Sequence, residues 1–89
     1  MTKKKIPQEI DTNYFSIISI HNNLYEIQSK NTHHCWIVQK SSDSESCHIK
    51  HKYRKNVKKY HDQCNASSLK SAINKIKKHD AYKIKEGIY

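Results

Sequence analysis

From Tyr14 to Arg54 the apolar positions of this chain recur mostly at every second residue, the period of a strand with one buried face. Tyr-Phe-Ser-Ile-Ile-Ser-Ile (14–20) is β-branched and aromatic, and Leu-Tyr-Glu-Ile-Gln (24–28) alternates. His21, Asn22 and Asn23 lie between them, and asparagine tolerates the positive φ of a tight hairpin turn. A second turn fits Lys30-Asn31-Thr32. The next segment, His33 to Gln39, is hydrophobic enough at its centre for a middle strand. Trp36 fits either the core, with Val38 and His34, or an exposed stacking surface, the core being the commoner place for a lone Trp in so small a domain. After a solvated Ser-Ser-Asp-Ser-Glu-Ser loop (41–46), residues 47–54 alternate cleanly. Cys47, Ile49, His51 and Tyr53 share one face, and His48, Lys50, Lys52 and Arg54 share the other.

The period changes near the end. Ser67-Ser68 are good helix-capping residues, and Leu69, Ala72, Ile73 and Ile76 follow at the spacing of one helical face. Lys70, Asn74, Lys77 and Lys78 fall elsewhere on that wheel, and Lys77, Lys78 and His79 suit the negative end of the helix dipole. After Asp80, Tyr82, Lys83 and Ile84 fit a short last strand or docked coil. Residues 55–66 fit a loop or a short helix with Val57, Tyr60 and Cys64 inward. Residues 1–13 read as a flexible or loosely docked lead-in, anchored at most by Ile6 and Ile10, before one small domain over 14–89. The expected fold is α+β: an antiparallel β-meander of three to four strands with one C-terminal amphipathic helix packed on one face.

Composition narrows the function classes. The chain has 89 residues, of which 35% are hydrophobic, so the core is small and leaves little room for a buried catalytic cleft. Its single glycine, Gly87, excludes a glycine-rich phosphate loop. No apolar run approaches the length of a membrane span, and the basic opening has no apolar stretch behind it, so no membrane partner and no secretory signal are expected. Three cysteines without a framework spacing suit reduced thiols and a cytoplasmic location.

The formal net charge is +9, and residues 47–89 carry all of it, with twelve Lys and Arg against Asp62, Asp80 and Glu86. Concentrated charge of one sign repels itself, and a polyanion relieves it by releasing counterions. His48, Lys50, Lys52 and Arg54 form a basic strand face with rungs roughly 7 Å apart. Lys55, Lys58 and Lys59 extend it, and Lys70, Lys77 and Lys78 add a helix surface. Because the side chains of Lys50, Lys52 and Arg54 point away from the helix, alanine at all three is expected to leave the fold intact. Lysine so outnumbers arginine that phosphates, more than base edges, are the expected contacts. The expected partner is nucleic acid, DNA ahead of RNA, with an acidic protein surface as the alternative. In the order of its elements alone, the chain resembles small DNA-binding domains that lay a three-stranded sheet in the major groove, such as integrase arm-binding domains. No motif of theirs is present.

Two constellations are weighed and set aside. Cys47, His51, His61 and Cys64 are residue types zinc accepts, but Cys47 and His51 on a straight strand lie roughly 13 Å apart. No metal ligand and no cofactor are therefore expected. Cys35 beside His33 and His34 suggests a nucleophile and base, but adjacent strand residues diverge and nothing nearby offers an oxyanion hole. No catalytic residue is assigned, and a non-enzymatic module is expected.

Overall fold

The computed structural model describes residues 6–87. Residues 1–5 of the lead-in and the last two of the domain lie outside that range. Five strands follow one another, β1 (Phe15–His21), β2 (Leu24–Ser29), β3 (Cys35–Lys40), β4 (Cys47–Lys52) and β5 (His61–Ala66), and a helix α1 (Leu69–Glu86) closes the chain. Every strand pairs antiparallel with the next, so the sheet order is the sequence order. The α+β meander with a helix on one face is as the residue pattern predicts, with one strand more.

The extra strand is β5. His-Asp-Gln-Cys-Asn-Ala has little intrinsic strand character, and it is held as a strand by pairing along β4, with Cys47 opposite Ala66 and His51 opposite His61. A register shift between Ile49 and Lys50 brings Cys64 opposite Ile49. Neighbouring backbone overrides propensity here. The segment between β4 and β5 is loop, and Val57, expected inward, is exposed.

One face of the sheet holds the core. Phe15, Tyr25, Ile27, Trp36, Val38, Cys47, Ile49 and Ala66 meet Leu69, Ala72, Ile73 and Ile76 of the helix. Trp36 is 1% exposed, which places it in the core. Ile10 joins the same cluster from the lead-in, while Ile6 is exposed. No described helix is long and apolar enough to cross a membrane.

The helix is longer than the residue pattern suggests, running through Tyr82, Lys83 and Ile84, where a strand or coil is expected. Ser68 caps its start, its Oγ accepting from the Ser71 amide at 3.1 Å. Between Leu69 and Glu86 no proline or glycine interrupts it, and it stops only at Gly87, left-handed at φ 69° with its amide donating to Ile84.

In the β1–β2 hairpin His21 pairs with Leu24, which leaves Asn22 and Asn23 as the loop, and Asn22 takes φ 54°. Asparagine enters this region at small cost because its side chain bonds locally. Asn22→Ala is expected to cost about 1 kcal/mol and Asn22→Gly to be near neutral, both read from urea unfolding midpoints. Equal stability of the two variants would show that the turn is unstrained.

Candidate histidine centre and basic surface

Three histidines from separate parts of the sequence converge at one end of the core. His34 precedes β3, in phase with the inward Trp36 and Val38. His51 lies on the inward face of β4 opposite Trp36, and His79 comes one turn after Ile76 on α1. Each offers a ring nitrogen, and these atoms lie within 4.8 Å of one another. His34 and His51 are buried and His79 is half-buried. His51 Nε2 and His34 Nδ1 are 2.9 Å apart, and His51 Nδ1 faces His61 Nε2 at 3.3 Å. Two buried nitrogens, His34 Nε2 and His79 Nδ1, have no hydrogen-bond partner. Tyr53 is exposed, and its ring stands edge-on against both His34 and His51.

Proton accounting makes this arrangement unusual. A neutral imidazole carries one donor and one acceptor. If His51 donates to His34 from Nε2, the His34 proton sits on Nε2, a buried donor with no acceptor. If His34 donates instead, its Nε2 is a bare lone pair. Both tautomers leave a buried ring nitrogen unsatisfied, and charging the rings is opposed by burial. Burial takes His34 from its ordinary 6.5 down to about 4, against the opposing pull of the Asp80 carboxylate. Burial and the neighbouring histidines take His51 to about 3. His79 is lowered by burial too.

Asp80, one residue on, is fully buried and holds the centre's surroundings in place. It accepts hydrogen bonds from Tyr14 Oη at 2.7 Å, from Ser29 Oγ, and from Thr32 Oγ1 at 3.0 Å. Trp36 Nε1 donates to the same Ser29 hydroxyl at 3.1 Å, and the His34 amide donates to Thr32 Oγ1 at 3.2 Å. Burial, with Asp80 beside it, pushes the Tyr14 phenol up to about 12.

The basic residues named from the sequence fare differently. The phase of the strand holds, with His48, Lys50 and Lys52 on the face away from the helix. Lys52, however, is 8% exposed, its Nζ donating to the carbonyls of Lys55 and Val57 and lying over the Tyr60 ring at 4.6 Å. From β4 it holds the β4–β5 loop in place, so alanine there is expected to cost stability and not to be neutral as its strand phase suggests. Arg54 donates to the carbonyls of Thr32 and Tyr53. His48 bridges Asn65 and Asp62, contacts that raise its pKa and lower that of Asp62. Lys77 pairs with Asp11 at 3.8 Å. Lys55, Lys58, Lys59, Lys70 and Lys78 are exposed, and none has an ion pair with a described carboxylate.

The other constellations separate. Cys47 and Cys64 lie away from His51 and His61 along the strands, so that quartet does not assemble. Cys35 is buried on the outer face, and burial pushes its thiol up, as it does that of Cys47. A pocket of about 710 Å³ lies at the opposite end of the sheet. It is open, and residues such as Asn23, Gln39, Ser42 and Asn65 line it.

The histidine centre was readable only by asking which histidines fall in phase with a core face. His34, His51 and His79 all do. His79 reads as a dipole-capping residue only if the helix ends near it, and the helix runs on to Glu86.

The class this geometry defines is a five-stranded antiparallel meander closed by one C-terminal helix, with a histidine cluster between helix and sheet. Comparisons of the chain with protein-family models, with curated proteins and with solved structures find no match.

Two outcomes follow for the metal-free protein. Asp80→Ala leaves three hydroxyls without their buried acceptor and is expected to lose about 3 kcal/mol in urea unfolding, with Asp80→Asn losing less. In the unfolded chain His34, His51 and His79 bind protons near their ordinary 6.5, while the folded state holds them neutral to lower pH. The unfolded state thus takes up more protons, and stability falls as pH drops from about 7 toward 5. The groups around them oppose one another, Asp80 favouring protonation and Lys83, Arg54 and His61 disfavouring it. A flat stability profile between pH 7 and 5, measured in chelator, would mean the rings are charged or solvated when folded.

Proposed function

We propose that this chain is a small non-enzymatic domain that binds nucleic acid through phosphate contacts in the cytoplasm. The observation that carries this is the set of exposed lysines without carboxylate partners: Lys55, Lys58 and Lys59 on the β4–β5 loop, and Lys70 and Lys78 on the helix. Unpaired ammonium groups release bound counterions when they meet a polyanion, which favours binding without base recognition. Lys50 and Arg54 support the loop, and Lys77 contributes less because Asp11 holds it. Tyr53, 51% exposed beside Arg54, supplies an aromatic face on which a base can stack. DNA is the first polymer to test. The three cysteines are free, in keeping with a reducing compartment.

An edge strand favours the second reading, an acidic protein partner. β1 stands at one edge of the sheet and carries no lysine, proline or acidic residue to discourage pairing, although its register shift between Ile17 and Ser19 blunts it.

Anisotropy titrations of labelled duplex DNA, single-stranded DNA and duplex RNA at several salt concentrations separate the two. Low-micromolar binding or better is expected, with log affinity falling linearly against log salt. Lys55→Ala/Lys58→Ala/Lys59→Ala should reduce that slope by about 2 to 3 without lowering the melting temperature. Binding that disappears by physiological salt, or a slope the triple variant leaves unchanged, would reject the nucleic-acid reading and direct the search to acidic proteins.

A further inference from the structure

We propose that His34, His51 and His79 form a binding site for one divalent d-block cation, with zinc as the first candidate, clasping α1 to the sheet. This goes beyond nucleic-acid binding and does not depend on it. The donor set is three imidazoles, a combination that suits zinc, copper, nickel and cobalt and is poor for magnesium or calcium. Their nitrogens already lie within 4.8 Å of one another. Tetrahedral zinc with bonds of about 2.0–2.1 Å asks for nitrogens about 3.3 Å apart, so shifts within the cluster on the order of 1 Å complete the site.

Three further observations point the same way. First, one buried ring nitrogen of His34 and one of His79 have no hydrogen-bond partner. A cation is the one species that three neutral imidazoles can all donate to at once, and an imidazole flip exchanges the two nitrogens of any ring. Second, a carboxylate lies close. Asp80 interacts favourably with charge on His34 and His79 and, through Thr32, orders the turn that carries His34. Metal-binding histidines are commonly positioned by such outer contacts. Lys83 and Arg54 oppose a cation here, and Asp80 offsets them in part. Third, the cluster adjoins exposed side chains, the Tyr53 ring standing against His34 and His51 and the His61 ring against His51.

Three protein ligands leave a fourth position open for water or another group, as in zinc sites that remain reactive. Because one ligand comes from the helix and two from the sheet side, binding stabilises the fold by linkage.

The test starts from the chelator-stripped 89-residue chain titrated with zinc chloride, by calorimetry and by thermal unfolding. One ion per chain is expected, and a melting temperature about 10 °C or more higher once free zinc exceeds the dissociation constant by ~100-fold. Cobalt should give the visible bands of a tetrahedral site. His79→Gln and His34→Gln should abolish the thermal shift, and His21→Gln/His33→Gln/His48→Gln should retain it. Should either cluster variant not fold, long-range proton–nitrogen spectra of the unmodified protein decide, since zinc must move the ring-nitrogen resonances of all three histidines. Absence of binding, binding without a thermal shift, or binding that depends on His21, His33 and His48 would overturn the proposal.

Discussion

The Asp80 carboxylate is the contact on which the arrangement of this domain depends. An ionised side chain removed from water is tolerated only where donors replace its hydration, and here three hydroxyls do so. They come from separate parts of the chain: Tyr14 ahead of β1, Ser29 at the end of β2, and Thr32 in the turn before β3. One helix residue therefore fixes the approach to β1 at Tyr14, the β2–β3 turn and the far half of α1 at once. Apolar contacts supply the driving force for docking the helix, but they are tolerant of sliding and rotation. A carboxylate with three directional partners selects one position. The indole of Trp36 and the backbone of His34 are attached to that same network, so the histidine centre inherits its order from Asp80.

The two faces of the sheet are finished by different chemistry. The helix and Ile10 cover the inner face with aliphatic and aromatic groups. Among the described residues no second layer covers the outer face, and the β4–β5 loop folds over part of it. Lys52 lays its stem under that loop and gives its charge to two carbonyls, and Tyr60 donates to Glu26 at 2.7 Å. A long amphipathic side chain can serve as packing in this way when its ammonium finds acceptors. This is why a lysine that alternation marks as solvent-facing belongs to the structure, while the neighbouring Lys55, Lys58 and Lys59 stay free. The same loop thus presents charge to solvent and protects the buried thiol of Cys35.

The features on which both proposals rest lie toward the end of the domain where β3 begins, β4 and β5 meet, and α1 finishes. Loop lysines, the exposed Tyr53 and the buried imidazoles are assembled there, and the open polar pocket is at the other end. Phosphate binding and cation binding draw on different groups, exposed ammonium in one case and buried neutral nitrogen in the other. Each can therefore be present without the other. A cation at the histidines would add positive charge beneath Tyr53 and Arg54, on the side where a polyanion is proposed to approach.

Much of the architecture was decided locally and can be read from the chain. Alternation in 24–28 and 47–52 assigns faces, Asn22 permits the hairpin, Ser68 starts the helix, and Leu69, Ala72, Ile73 and Ile76 set its buried side. These are properties of neighbours a few residues apart, and local sterics and solvation enforce them. What the chain by itself left open is whatever depends on distant partners. His61–Ala66 is a strand because β4 offers an edge. Tyr82–Ile84 are a local matter by contrast, helical because no proline or glycine stops the helix before Gly87. Lys52 is buried because a loop returns over it. The histidines illustrate the division most clearly: 17 residues separate His34 from His51, and His79 stands on another element altogether. Phase alone marks each as inward, but only the register of β3 with β4, and the depth at which Asp80 docks the helix, bring their nitrogens together.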